Sequence, residues 1–238
     1  MNVYDFDKTI YEGDCTLDFW RYSVRRYPRT LRAFPLALYA GGAYRCGFYS
    51  KERFKETFYR FLQYVPDVGD AVRYFWDVHA SKMSAWYLKQ MRADDLIISA
   101  SPEFLISELC ARLEVRYIAS KVDPLTGKLG SPNCAGVEKV NRLIAEYPDA
   151  EIEQFYSDSE SDAPLAHLAA QAYLVKGGSI MNWSPANKIP TPWDEHQGQC
   201  KSEQEDKARG ASGGETLSGG TAGGGEWGPG SSWEEAIR

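Results

Sequence analysis

Histidine is scarce: only His79, His167 and His196 occur, too scattered to suggest a histidine metal site or a nucleophilic triad. The five cysteines (Cys15, Cys46, Cys110, Cys134, Cys200) are odd in number and contain no Cys-x-x-Cys pair. That argues against a zinc site and a disulfide framework, and each cysteine reads as a small buried apolar residue or an idle thiol. No apolar run reaches the roughly 20 residues needed to span a bilayer. No charged and apolar leader precedes the first strand-like run, so secretion by a signal peptide is not expected and the cytoplasm is the expected compartment. There is no internal repeat, and no nucleic-acid partner is expected.

What is present divides into a folded part and a tail. After about Ile189 the composition changes, and from Gln197 onward it is Gly, Ser, Glu and Lys with almost no aliphatics. Such a segment cannot bury enough surface to offset its ordering entropy, so residues 191–238 are expected to be a disordered Gly/Ser-rich tail. Trp227 and Trp233 read there either as a short docking motif or as incidental aromatics. The remainder suffices for one α/β core and a small accessory domain. Apolar strands are expected near Val3 to Phe6, Leu96 to Ser99, Arg116 to Ala119, Gln154 to Ser157 and Tyr173 to Val175, alternating with helices, which predicts a mostly parallel sheet covered on both faces. Ser101-Pro102 puts proline at the first position of a helix, and Ser161-Asp162 precedes the helical stripe Leu165, Leu168, Ala169, Ala172.

Between about Asp14 and Gln90 there is no convincing strand. Phe54, Phe58, Phe61 and Leu62 follow helical spacing, as do Val72, Phe75, Trp76 and His79, so a small helical bundle is expected with His79 a satisfied imidazole on a helix face. The segmentation is therefore 1–13 and 91–190 for the core and 14–90 for the helical insertion. The insertion carries 13 Lys and Arg against 7 Asp and Glu, a net of +6, while the whole chain is −6. Arg21, Arg25, Arg26, Arg29 and Arg32, interleaved with Trp20, Tyr22 and Tyr27, either steer an anionic substrate, touch anionic lipid headgroups, or form a solvated face with their stems packed on aromatics. Pro28 splits this run. Ala33 to Tyr44 is a dozen residues without a charge but containing Pro35, Gly41 and Gly42. It reads as a buried hairpin with a turn at those residues or, less favoured, as a segment resting on a membrane interface.

The chemistry-bearing residues fall at strand ends. In Asp5-Phe6-Asp7-Lys8-Thr9 two carboxylates stand two positions apart after an apolar run, so they share a side. One can attack while the other handles a proton, although such pairs also cap helices. Leu96-Ile97-Ile98-Ser99-Ala100-Ser101-Pro102 ends a buried strand in small hydroxyl residues before a helix whose amides suit a phosphate. Lys139 lies one turn into a later helix, in Asn133-Cys134-Ala135-Gly136-Val137-Glu138-Lys139. Gln154-Phe155-Tyr156-Ser157-Asp158-Ser159-Glu160-Ser161-Asp162 ends a strand in carboxylates four apart.

Across most of residues 1 to 180 this quartet resembles the haloacid dehalogenase (HAD) superfamily of phosphatases, particularly its phosphoserine-phosphatase-like branch, subfamily IB. The resemblance implies an α/β, Rossmann-like core with a mostly parallel sheet, the first strand central between those of the second and fourth motifs, and a helical cap inserted after the first strand that covers the site and selects substrate. It implies Mg²⁺ held by the Asp5 and Asp158 carboxylates and the Asp7 main-chain carbonyl. It also implies Asp5 as nucleophile forming an aspartyl-phosphate, Asp7 as acid then base, Ser99 and the Ala100 amide on the phosphoryl oxygens, and Lys139 stabilising the anionic charge. Thr9 braces the loop. Asp162 approaches the metal, orients Lys139 or caps its helix.

Lys8 stands where many relatives have glycine. Ser99-Ala100-Ser101 replaces the Ser-Gly-Gly typical of phosphoserine phosphatase, and Asp14 falls where that enzyme has a glutamate that meets the substrate amine. Ser-Ala-Ser-Pro also resembles the branch containing phosphatidylglycerophosphate phosphatases. The expected activity is phosphomonoester hydrolysis on a small phosphorylated metabolite. The alternatives are a peripheral phospholipid-headgroup phosphatase, with weak membrane-surface contact through the cap, and a non-catalytic binding module on the same scaffold.

Overall fold

A strand covered on both faces needs an unbroken apolar run, and Leu96, Ile97 and Ile98 at the start of β2 (Leu96–Pro102) are fully buried. Its neighbour β1 (Asn2–Tyr4) is buried throughout. In the computed structural model, which describes residues 1–183, these strands sit in a six-stranded sheet of order β3-β2-β1-β4-β5-β6. Here β3 is Arg116–Ser120, β4 Ile152–Ser157, β5 Ala169–Lys176 and β6 Ser179–Asn182. All pairings are parallel except β5 with β6. The first strand is thus central between β2 and β4, as expected. The chain moves outward from β1 to β3 and then returns to the other side with β4, so the strand order reverses beside β1 and opens a crevice at the strands' carboxyl ends. Residues 184–190 of the expected core and the tail, with Trp227 and Trp233, lie outside the described residues.

Packing on one face of the sheet follows its register. Tyr4, Tyr156 and Tyr173 are cross-strand partners, and their rings stack at 5.0 and 4.8 Å between centroids. Helix α5 (Ala85–Gln90) covers them with Trp86 and Tyr87. Residues 15–90 are helical, as expected: α1 (Cys15–Arg26), α2 (Phe34–Arg45), α3 (Lys51–Tyr59), α4 (Val68–His79) and α5, with 3₁₀ turns between. Buried Trp76 of α4 donates its indole N–H to the Leu105 carbonyl at 2.8 Å in α6 (Glu103–Leu113), tying the insertion to the core. His79 is the satisfied imidazole expected, 3.0 Å from the Phe75 carbonyl and stacked on the Phe75 ring. Pro28 ends the α1 run, so the arginines form no single helical stripe. Among the described residues no helix is long and apolar enough to cross a membrane.

Four expectations are corrected. The stripe Leu165, Leu168, Ala169, Ala172 is not one helix: α8 (Ala163–Ala166) stops after a single turn, and Ala169 begins β5. Its backbone is claimed by β4, from Ile152 opposite Ala169 to Ser157 opposite Leu174, and non-local pairing overrides local periodicity. Pro102 is not the first helical residue but the extended cap before α6, at φ −62° and ψ 136°, because β2 continues through it. The edge strand β6 was not expected, although Gly177-Gly178, both at positive φ, supply a hairpin turn.

The fourth correction concerns Ala33 to Tyr44, which is not a buried hairpin. Ala33 ends a 3₁₀ turn, and Phe34 to Tyr44 belong to one helix, α2, running through Gly41 and Gly42 with Pro35 in the first turn, where a missing N–H does no harm. Only its small residues face inward: Ala40 and Ala43 are buried, and Gly41 abuts the Phe54 ring of α3.

Candidate active site

Three chain segments reach the crevice at the end of β1. The Asp5 amide continues the ladder, donating to the Tyr156 carbonyl at 2.8 Å, so the Asp5 carboxylate emerges between β2 and β4. The chain then turns sharply, with Lys8 in the left-handed region at φ 58°, where glycine is the usual occupant. Thr9 is buried, its hydroxyl 3.5 Å from Asp5 Oδ2.

Lys139 arrives from α7 (Val137–Glu146), which is positioned by Gly136 at φ 57°; a Cβ there would lie 3.4 Å from the Ser161 carbonyl. The Lys139 ammonium is 2% exposed and donates to Asp5 Oδ1 at 2.5 Å and Asp162 Oδ2 at 2.7 Å. Asp162 also accepts from the Ser157 hydroxyl at 2.8 Å and makes no side-chain cap to α8. Of its three expected roles, orienting Lys139 is the one its contacts fit. Burial opposes the Lys139 charge, but the carboxylates of Asp5 and Asp162 more than reverse this and hold its pKa above the ordinary lysine value. Burial pushes the Asp5 carboxyl up to about 6 against the pull of Lys139, with Asp162 and Asp158 adding to the rise.

Asp7 is held differently. Its Oδ1 accepts from the Cys15 amide at 2.7 Å and its Oδ2 from the Ser101 hydroxyl at 2.5 Å. Burial, then the charge of Asp14, raises it to about 7. Two neighbouring carboxyls thus have different surroundings: one faces a lysine, the other hydroxyl and amide donors beneath the insertion.

Ser99 is buried in β2, and its hydroxyl accepts from the Ser101 amide at 3.0 Å. The Ala100 carbonyl accepts from Ser120 at 3.0 Å and from Lys55 at 2.8 Å. Asp14 caps α1 by accepting from the Leu17 amide at 2.9 Å while also lining the site's cavity.

That cavity, about 360 Å³, lies between core and insertion. Asp7, Asp14, Ala100 and Ser101 line one side, and Lys51, Phe54, Lys55 and Phe58 of α3 line the other. Lys55 and Ser101 are site residues that sequence reasoning did not assign. Lys55 Nζ also meets Asn133 Oδ1 at 2.5 Å, and burial, then Lys51, lowers its pKa to about 8. The available signal for Lys55 was its spacing of four from Lys51, which places both on one helix face.

Among the described residues no three His, Cys, Asp or Glu side chains gather into a metal cage. Asp158 follows β4 beside Asp5, and among the described residues its carboxylate accepts no protein hydrogen bond, while its main-chain carbonyl takes Lys176. The carboxylates of Asp5 and Asp158, which follow the paired strands β1 and β4, are oxygen donors and fit Mg²⁺, which usually takes one or two carboxylates and completes its shell with water and phosphate. Asp5, Asp158 and the Asp7 carbonyl are the residues that would hold it.

The profile of haloacid dehalogenase-like hydrolases matches residues 3–167. Among solved structures, a protein of unknown function from Bordetella pertussis Tohama I is similar at TM-score 0.62 and 16% identity, over 85% of this chain and 95% of that one. A probable phosphoserine phosphatase from Vibrio cholerae is similar at TM-score 0.53 and 10% identity, over 72% of this chain and 55% of that one. At these identities the likeness concerns the fold. No curated protein sequence matches.

Proposed function

Since the chain belongs to the haloacid dehalogenase-like hydrolases, we propose that it is a Mg²⁺-dependent phosphomonoesterase of the cytoplasm acting through an aspartyl-phosphate. The observation that carries this reading is the buried Lys139 ammonium between Asp5 and Asp162 at the carboxyl end of the central strand. A cation sealed there serves no surface purpose. It supplies fixed positive charge where a phosphoryl group would need it.

In the proposed reaction an Asp5 carboxylate oxygen forms a bond to phosphorus as the bond to the leaving alkoxide breaks, and Asp7 gives its proton to that oxygen. Water then attacks the phosphorus, Asp7 takes the proton back, and Asp5 is released with inorganic phosphate. Lys139, the Ser99 hydroxyl and the Ala100 amide hold the phosphoryl oxygens in both steps. Bound Mg²⁺ would neutralise phosphate charge that otherwise repels the Asp5 carboxylate. Helix α3 closes the site over the leaving group, with Lys55 bridging to the Ala100 carbonyl.

The substrate is read as a small phosphorylated metabolite of phosphoserine-like size, which a cavity of about 360 Å³ accommodates. Asp14 is the candidate contact for a substrate cation. A phospholipid headgroup is the second reading, favoured by the exposed apolar side chains of α2. The test is phosphate release from an aryl phosphate with and without Mg²⁺, by wild type and by Asp5→Asn. Full activity in the substituted protein would remove Asp5 as nucleophile.

A further inference from the structure

Helix α2 is built inside out. In a helix packed on a soluble domain the large apolar residues face the core and small or polar ones face water. Here Ala40 and Ala43 face the bundle, while Leu38 and Tyr39 are 66% and 64% exposed. Leu31, Phe34, Leu36 and Tyr44 extend the same exposed set, and Phe48, in the loop after the helix, is 80% exposed. Exposed apolar residues scattered singly need no explanation; this concentration within Leu31 to Phe48 does.

Charge identifies what would cover it. From Phe19 through Lys51 there is no Asp or Glu, but there are Arg21, Arg25, Arg26, Arg29, Arg32, Arg45 and Lys51. Among the described residues Arg25, Arg26, Arg29, Arg32 and Arg45 make no ion pair, and all five are exposed. A second copy docked on the same face would bring these arginines against their own kind, with no acid in the segment to meet them. An anionic bilayer meets both features: leucine and aromatic side chains enter the headgroup boundary while arginines at their flanks reach lipid phosphates.

We infer that the exposed face of α2, with the loop to Phe48, is a docking surface for anionic membrane. This goes beyond the phosphomonoesterase reading and does not rest on it. The two surfaces nevertheless share a wall, since Phe54 of α3 lines the active-site cavity on one side and receives Gly41 and the Tyr44 ring of α2 on the other. A docked molecule therefore holds its cavity close to the bilayer surface.

The test uses the full chain, sedimented with vesicles of phosphatidylglycerol and phosphatidylcholine in equal parts, or of phosphatidylcholine alone, at about 20 and about 500 mM NaCl. The protein should pellet with the anionic vesicles at low salt only. Leu38→Glu combined with Tyr39→Glu should lower the bound fraction by at least about tenfold, because carboxylates replace the inserted side chains. Hydrolysis of a soluble aryl phosphate by this variant should stay at the wild-type level, and Asp5→Asn should bind vesicles as wild type does. Absence of pelleting with anionic vesicles at low salt, or pelleting unaffected by the double substitution, would overturn the inference. So would a lipid-free wild-type dimer that the double substitution converts to monomer. Vesicle binding by a protein lacking phosphatase activity would uphold this inference and sink the catalytic reading.

Discussion

The end of β1 and the outer face of α2 treat side chains in opposite ways. At β1 the charged groups are inside, and each is answered: Lys139 by Asp5 and Asp162, Asp162 by Ser157, Asp7 by Ser101 and the Cys15 amide. At α2 large apolar groups, Leu38 and Tyr39 foremost, stand largely in solvent, while Ala40 and Ala43 are buried. Both arrangements oppose folding stability taken alone, since one desolvates charge and the other leaves apolar surface in water. Each becomes intelligible when completed from outside the chain, by a cation and a phosphoryl group in the first case and by a lipid surface in the second. The difference teaches that the core site is a closed polar network, whereas the outer side of α2 presents open apolar surface on a helix held to the bundle by its small residues.

The contrast can be broken most forcefully at Asp5. Asp5→Asn is expected to lower kcat for an aryl phosphate by about 10⁴-fold, the scale on which a nucleophile's removal acts, measured by phosphate release. Lys139→Met should lower kcat by about 10²–10³-fold. It should also destabilise the protein by about 3–5 kcal/mol in urea denaturation, because two buried carboxylates lose their common cation.

Lys55 sharpens the picture of the closed side. Its pKa is lowered by burial to about 8 in the folded protein from an unperturbed 10.5. The folded state therefore releases this proton first, and stability attributable to Lys55 should rise between pH 8 and 10.5 by about 1–3 kcal/mol. Lys55→Met should flatten that part of the stability profile relative to wild type. On α2, Ala40→Leu pushes a branched side chain into the packed inner face and should cost about 1–3 kcal/mol. The outward Leu38→Ala should change stability by less than about 0.5 kcal/mol, which thermal unfolding of the two variants side by side would establish.

Much of the core was legible because its signals are local. Apolar runs before Asp5, Ser99 and Asp158 mark strands, and the polar residues that end them mark the sheet's carboxyl edge. Lys139 was legible through its motif, but its dual contact with Asp5 and Asp162 depends on the approach of α7 and could be seen only in three dimensions. The residues of β5 satisfy a helical stripe as well as a strand, and only β4 decides between them. Lys55 was missed because its partners, Ala100 and Asn133, are far away in sequence, as is usual for a residue that bridges an insertion to its core. In α2 the order of apolar residues was visible, but not which side would face the bundle, since alanine and leucine count alike in an uncharged run.

The central claim is that Asp5 carries the phosphoryl group. Enzyme turning over an aryl phosphate in Mg²⁺ can be quenched in acid, treated with borohydride, which reduces an acyl phosphate to an alcohol, and mapped by mass spectrometry. The account predicts reduction of Asp5 to homoserine in wild type and none at that position in Asp5→Asn. Turnover with Asp5 unmodified and another side chain reduced would contradict it.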